Sequence, residues 1–126
     1  MFPITKDLII KTFTEWGPVY EIYFDLLIEK IEKNDVFVSV LSFTEYPGQC
    51  CDVGTRVPGL YLKTDTEQFH FGTQIGSDGN KYATSAQKYV ANKWYHFHIK
   101  QFQRFGKTVA ENIVLIFYLS CVCLVF

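Results

Sequence analysis

Three histidines lie at alternating positions of two predicted strands and are the first candidates for metal chemistry. His96 and His98 are two residues apart, so both project from the same face of an extended strand. His70 lies on the polar side of another predicted strand. Imidazole nitrogens bind zinc and copper, and His70 would supply a third ligand if the two strands were neighbours. Solvated histidines on a polar sheet face are the simpler interpretation.

The sequence contains none of the catalytic motifs that would define an enzyme. A glycosidase needs two carboxylates at a defined separation, and no Glu-x-Asp-x-x-Glu run occurs. Glu21 and Asp25 share one face of a predicted strand, but a carboxylate stripe of this kind is usually just solvated. No Gly-x-Ser-x-Gly, Walker loop or His-Glu-x-x-His motif is present. We therefore predict that the protein is not an enzyme.

Four cysteines form two close pairs, Cys50 with Cys51 and Cys121 with Cys123. Neither pair has the two-residue spacer that is typical of zinc and redox sites. Disulfides between the pairs in an oxidising compartment and free thiols in a reducing one both agree with this spacing. The sequence leaves the disulfide state open.

Composition limits the protein to one folded, strand-rich domain. The 126 residues include 12 Lys and Arg against 13 Asp and Glu, for a net charge of -1. A general nucleic-acid binder normally has a basic surplus, so nucleic acid is not an expected partner. A hydrophobic content of 48% and only four alanines favour an ordered all-β protein over disorder or helix.

Periodicity locates the main strands. Apolar side chains occupy the even positions from Tyr20 to Ile28, which predicts a half-buried strand to about Glu29. The run 35–44 is apolar on both faces and predicts a central strand covered on both sides. Residues 94–102 alternate again and predict a long strand with one wet face. The expected core comprises Trp16, Ile22, Phe24, Leu26, Leu41, Phe43, Leu60, Leu62, Phe69, Phe71, Trp94, Phe97 and Ile99.

Turn-forming residues divide the rest of the chain. Glycines and prolines mark 45–59 as a long loop. Residues 60–63 and 67–73 predict a hairpin around Thr64, Asp65 and Thr66. Ser77-Asp78-Gly79-Asn80 predicts a tight turn, because an Asp-Gly pair accommodates positive φ. A short strand at 81–84 is expected to follow.

The last fourteen residues, Ile113–Phe126, carry no charge. A confident membrane span needs roughly 18 or more apolar residues, so this tail is too short to cross a bilayer alone. We expect it to form a strand from about Ile113 to Tyr118 at the open edge of a sheet. Membrane association through Ile113–Phe126 is the alternative.

Four segments together resemble one known family of modules. They are F-x-x-W-G-P-x-Y-E-I-Y-F-D (13–25), V-S-V-L-S-F-T (38–44), G-T-R-V-P-G-L-Y-L (54–62) and N-K-W-Y-H-F-H-I-K-Q (92–101). Their order and the polar turn before Trp94 are similar to a concanavalin A-like, laminin-G-type jelly-roll domain. The resemblance spans about Leu8 to Gln103. It implies an antiparallel β-sandwich over 1–105, truncated at its C-terminal end, with 106–126 as a hydrophobic tail.

The same resemblance implies a function and a location. Modules of this type are non-catalytic binding or adhesion domains, which recognise a glycan or an extracellular protein through loops at one rim. The expected location is therefore extracellular or at the cell surface, although Lys6, Asp7 and Lys11 interrupt any signal peptide in this chain. The alternatives are a structural or protein-interaction domain without a small ligand and, less favoured, a polysaccharide hydrolase.

Candidate ligand residues follow from the chemistry of sugars. Pyranose rings stack on aromatic faces and form hydrogen bonds through their hydroxyls. Arg56 lies between Gly54 and Pro58, where its guanidinium either pins the loop to backbone carbonyls or binds an anion. We favour the structural role for Arg56. The predicted ligand set is Arg56, Tyr46, Tyr61, Asn80 and Tyr82.

Calcium is the cofactor that the resemblance leaves open. Laminin-G-type modules often hold this ion at one rim through carboxylate and carbonyl oxygens. The matching loop residues here are Asp52, Asp78 and Asn80, with Asp65 as a further candidate. The turn chemistry of Asp78-Gly79-Asn80 explains those residues without a metal.

Overall fold

The computed structural model describes residues 9–17, 19–31, 35–45 and 51–103 and the backbone of two later strands. Within these residues the protein is all-β and has no helix. The strands, in chain order, are β1 (Tyr20–Ile28), β2 (Phe37–Ser42), β3 (Gly59–Lys63), β4 (Gln68–Ile75), β5 (Asp78–Lys88), β6 (Lys93–Gln103), β7 (Ile113–Leu119) and β8 (Val122–Val125).

The described strands form two antiparallel sheets, consistent with the predicted β-sandwich. Sheet I has the order β1-β6-β7-β8, and sheet II has the order β2-β3-β4-β5. In sheet I, β1 pairs with β6 from Tyr20 opposite Gln101 to Ile28 opposite Lys93. Successive strands of sheet II are joined along the chain, which is the arrangement of a meander.

The core lies between the inner faces of the two sheets. In β6 the inward side chains Tyr95, Phe97 and Ile99 are almost fully buried. Phe69 from sheet II meets Phe97 edge-on with their ring centroids 5.1 Å apart. Phe24 stacks on the same Phe97 ring at 4.9 Å. Burial of this aromatic surface, at roughly 25 cal/mol per Å², is the main attraction between the sheets.

Most of the predicted core agrees with the structure. Seven of its members are buried: Leu26, Leu60, Leu62, Phe69, Phe71, Phe97 and Ile99. Five more are partly buried: Trp16, Ile22, Phe24, Leu41 and Phe43. Trp94 was predicted wrongly, since 45% of its surface is exposed. The two-residue period of β6 turns Tyr95 inward and therefore turns Trp94 outward.

The prediction of a central strand at 35–44 is wrong in its placement. The strand exists as β2, but it lies at the edge of sheet II and pairs with β3. Phe37 on its outer side is 45% exposed. The apolar residues on its inner side, Val38 and Leu41, pack on the core, whereas those on its outer side have no covering layer among the described residues.

The turn before β5 is displaced from its predicted position. Ile75 pairs with Asp78, so the hairpin loop consists of Gly76 and Ser77, and Gly76 has the positive φ of 60°. Gly79 lies within the strand, where a Cβ atom would approach the carbonyl oxygen of Asp52 to 2.8 Å. Gly79 therefore permits a close backbone contact and does not form the turn. The short strand expected at 81–84 extends over all of β5.

The predicted strand in the hydrophobic tail is confirmed for the backbone. β7 pairs with β6 from Phe97 opposite Leu119 to Gln103 opposite Ile113, and β8 continues the sheet beside β7. The predicted boundary at residue 105 lies outside the described residues. In the part of the chain that is described, no helix is long and apolar enough to cross a membrane.

Replacement of Phe97 tests the packing between the sheets. Phe97→Ala removes the ring that contacts both Phe24 and Phe69, and such a buried deletion costs about 3–5 kcal/mol. His96→Ala, one position away on the wet face, is the matched control and should change stability far less. Urea denaturation measures both variants. Equal losses would mean that the register of β6 is wrong by one residue.

Removal of residues 106–126 tests the role of the tail. It deletes β7 and β8 and exposes the edge of β6, and an unpaired edge promotes association between chains. We expect a lower melting temperature and aggregation in light scattering relative to the full chain. A shortened protein that stays monomeric and equally stable would make the tail an appendage. Sedimentation of only the full chain with lipid vesicles would support membrane association.

Candidate functional site

The outer side of sheet II brings together most of the predicted ligand residues. Tyr61 of β3 lies opposite His70 of β4, and Tyr82 of β5 lies opposite Gly72 of β4. Because alternate residues of a strand share a face, these side chains project away from the core. We call this surface the Tyr82 face and define it by Arg56, Tyr61, His70, Asn80 and Tyr82.

His70 is the centre of the Tyr82 face. Its Nδ1 shares a hydrogen bond of 2.9 Å with Thr84 Oγ1. The centroids of the Phe37, Tyr82 and Tyr61 rings lie 5.0, 5.1 and 6.3 Å from that of the imidazole. Burial, together with the positive charges of Arg56 and Lys63, lowers the pKa of His70 below its ordinary value. These effects favour the uncharged form of the imidazole.

Arg56 connects the loop that precedes β3 to the Tyr82 face. Its Nη1 donates to Asn80 Oδ1 and its Nη2 to Cys51 Sγ, both at 3.0 Å. The guanidinium carbon lies 5.1 Å from the centroid of the Tyr61 ring. Only 8% of the residue is exposed. These contacts hold the loop against the sheet.

A glycine makes room for Arg56 on the sheet. A Cβ atom at Gly72 would lie 3.0 Å from Arg56 Cδ, so the arginine stem crosses β4 where that strand has no side chain. Gly59, which pairs with Gly72, is covered by the ring of Tyr61 in the same way. The two paired glycines therefore let Arg56 and Tyr61 lie flat on the sheet surface.

Four of the five predicted ligand residues converge, but not on rim loops as expected. Tyr61, Asn80 and Tyr82 lie on strands β3 and β5, and Arg56 alone comes from a loop. Tyr46 lies outside the described residues. Tyr82 is 63% exposed and is the most accessible aromatic ring of the face. Their common surface follows from strand pairing, which no motif in the sequence specifies.

Sequence analysis missed His70 as a member of this group. The sequence suggested it as a third metal ligand beside His96 and His98 if the strands were neighbours, with solvated histidines as the simpler interpretation, and those two residues lie on the outer side of sheet I. His70 lies on the other sheet and is separated from them by the core, so that ligand set is wrong. Among the described residues no group of three His, Cys, Asp or Glu side chains is arranged to hold a metal. Tyr61 and His70 both occupy outward-facing positions in the alternation of their strands, and this feature of the sequence could have grouped them.

The calcium candidates fall at two different ends of sheet II. Asp78 accepts a hydrogen bond from the Asn80 backbone N–H at 2.9 Å and forms an ion pair with Lys81 at 3.1 Å. Asp52 does approach this segment, but through its main chain, since its carbonyl contacts Gly79 and accepts from Thr55 at 2.7 Å. Asp65 is bound to Lys63 at the opposite end, in the β3–β4 turn.

The outer face of sheet I carries paired charges. Glu21 Oε1 accepts from Tyr23 and bonds to His98 Nε2, each at 2.6 Å. Asp25 bonds to His96 at 2.5 Å. The histidines are therefore solvent-side residues, as predicted, and each forms a bond to a carboxylate across the β1–β6 pair. Glu21 and Asp25 thus pair with side chains of their own sheet, as expected of carboxylates on a solvated face.

The cysteine chemistry is described only at Cys51, whose sulfur contacts Arg56. Cys50, Cys121 and the side chain of Cys123 lie outside the described part of the chain. The disulfide state therefore stays open.

Comparisons with known proteins give no relative: no family model, curated protein or solved structure matches the chain.

Glu21→Gln tests the charge pairing on sheet I through its pH dependence. Hydrogen bonds from Tyr23 and His98 lower the pKa of Glu21, so ionised Glu21 stabilises the fold above its unfolded pKa of about 4.3. This contribution is lost as the pH falls through the lower folded value. We expect Glu21→Gln to reduce the melting temperature at neutral pH and to match the unsubstituted protein near about pH 2.

Glu29→Gln, just beyond the end of β1, is the control for this measurement. It should leave the melting temperature almost unchanged at both pH values. A deficit of Glu21→Gln that persists undiminished in acid would show that the loss does not come from carboxylate ionisation.

Proposed function

We propose that the protein is a non-catalytic binding module that recognises a saccharide through the Tyr82 face. The observation that carries this proposal is the exposed Tyr82 ring, which lies 5.1 Å from the buried His70 ring. Sugar C–H groups pack on aromatic rings, while polar groups at the ring edge bond to the hydroxyls. Tyr82 supplies the ring, and its neighbours supply the polar edge.

Asn80 is placed to provide directional hydrogen bonds. Its Oδ1 accepts from Arg56, which orients the amide so that its two N–H donors turn away from the guanidinium. Asn80 is exposed and lies two residues before Tyr82 on β5. A saccharide seated on Tyr82 would therefore meet an amide donor whose orientation is already fixed, which reduces the entropy lost on binding.

The face is better suited to a small polar ligand than to a large protein interface. Tyr82 is its exposed ring, Phe37 of β2 is exposed beside the face, and the polar rings of His70 and Tyr61 lie between them. Lysine is depleted at the core of protein interfaces, whereas Lys63 lies close enough to His70 to disfavour its protonation here. This argues for a glycan ahead of an extracellular protein.

Other parts of the laminin-G-type resemblance belong to the same proposal. They are the jelly-roll connectivity, a location outside the cell or at its surface, and a calcium ion near Asp52, Asp78 and Asn80. A structural domain without a small ligand is the second candidate. It is favoured because Asp65 and Asp78 already form ion pairs with Lys63 and Lys81. A polysaccharide hydrolase is the third, with no described carboxylate on the Tyr82 face to serve as its acid or base.

A glycan array probed with and without calcium tests the proposal, with Tyr82→Ala as the informative variant. We expect binding of the unsubstituted chain and a loss of about tenfold or more in Tyr82→Ala, since tenfold corresponds to about 1.4 kcal/mol and aromatic contacts are of that size.

Tyr23→Ala is the matched control, because Tyr23 is an outward tyrosine of sheet I with 66% exposure against 63% for Tyr82. It should bind like the unsubstituted protein. An array without any signal in either condition would favour the structural domain. Turnover of a polysaccharide would contradict both non-enzymatic candidates.

A further inference from the structure

His70 is enclosed by aromatic rings, which a solvated histidine on the outer face of a sheet would not need. It is 8% exposed, and rings from three different strands surround it: Phe37 of β2, Tyr61 of β3 and Tyr82 of β5. Its Nδ1 bonds to Thr84. No described residue forms a hydrogen bond to its Nε2, so Nε2 is the ring nitrogen that can pair with a ligand.

We infer that His70 is the specificity-determining residue of the Tyr82 face and that its imidazole pairs with a hydroxyl of a neutral saccharide. This inference rests on the proposed function. It goes further by naming the class of sugar and the residue that selects it.

Burial is the main reason why the uncharged form of His70 is favoured, because it lowers the pKa of the imidazole. Arg56, from the loop before β3, and Lys63, from β3 itself, add to this effect through their positive charges. The Thr84 hydroxyl bonds to the imidazole, and the rings of Tyr61 and Tyr82 pack beside it. Glu67 is the carboxylate nearest in the chain, followed by Asp65, and Lys63 holds Asp65 in the β3–β4 turn.

An uncharged imidazole matches a hydroxyl in a way that its cation does not. The neutral ring has one donor and one acceptor nitrogen, and a hydroxyl also donates and accepts. Protonation converts both ring nitrogens into donors and adds a third positive charge beside Arg56 and Lys63. In the proposed arrangement, Nδ1–H donates to Thr84 Oγ1 and Nε2 accepts from the sugar hydroxyl. Protonation of Nε2, as the pH falls through the lowered pKa of His70, removes this acceptor.

Arg56 acts on this site through charge and position. Removal of its positive charge raises the pKa of His70 toward the ordinary value of about 6.5, because one of the two neighbouring cations disappears. Arg56→Gln should therefore shift the pH at which binding is lost upward. Arg56→Lys keeps the charge and should leave that pH closer to its original value, even where overall affinity falls.

The experiment uses the full chain and an array of neutral, sialylated, uronic-acid and sulfated oligosaccharides, probed from about pH 5 to about pH 8. Histidine ring NMR on the unliganded protein follows the pKa of His70 independently of any sugar. We expect neutral oligosaccharides to bind at the upper end and to be released in acid, with a loss of about tenfold or more in His70→Phe.

His70→Gln keeps a side-chain donor and acceptor, and we expect it to retain binding but lose the acid release. This second variant covers the case in which His70→Phe does not fold. His96→Gln, on the outer side of sheet I, is the control and should preserve the pH profile.

Several results would overturn the inference while leaving the proposed function intact. They are binding confined to anionic saccharides, a pH profile unchanged in His70→Gln, or a His70 pKa that does not rise in Arg56→Gln. Failure of every oligosaccharide to bind the unsubstituted chain would instead contradict the proposed function itself.

Discussion

The contact between Phe69 and Phe97 is the interaction on which the rest of the structure depends. The two rings meet edge-on at 5.1 Å, and each belongs to a different sheet. Phe97 also stacks on Phe24, while Phe69 meets Tyr95 at 5.0 Å. With these rings directed inward, the two-residue period of a strand fixes what every neighbouring residue does. His70 and His98 must then face outward, on opposite sides of the sandwich.

The Tyr82 face is a consequence of this alternation and of two paired glycines. β3, β4 and β5 place Tyr61, His70 and Tyr82 in adjacent positions because their inward neighbours fill the core. Because Gly59 and Gly72 have no side chains, the Tyr61 ring covers the backbone of Gly59 and the Arg56 side chain covers the backbone of Gly72. Arg56, a buried cation, therefore lies near His70. The packing of side chains on the sheet thus also places a positive charge near the histidine.

Much of the fold could be predicted from the sequence because alternation is a local signal. The strand from Tyr20 to Ile28 and the turn at Thr64 to Thr66 were both specified by their own residues. The edge position of β2 was not, since an apolar run records burial but not the number of neighbouring strands. Gly79 was misassigned for a related reason: a glycine needed for close approach to Asp52 has the same sequence signature as a glycine in a turn.

The candidate site was harder to predict, because it depends on which strands become neighbours. Arg56, Tyr61, Asn80 and Tyr82 were identified by residue chemistry, yet their assembly around His70 arises from strand pairing over long separations. The grouping of His70 with His96 and His98 failed for the same reason. All three histidines were correctly predicted to face outward, but alternation along a strand does not show which sheet that strand joins.

Saccharide binding at the Tyr82 face is tested most directly by a map of backbone amide NMR shifts in the full chain as the array's best-binding oligosaccharide is added. The largest changes are expected at Tyr61, His70, Asn80 and Tyr82. Changes centred on the β3–β4 turn around Asp65, or on Glu21 and His98 of sheet I, would contradict it.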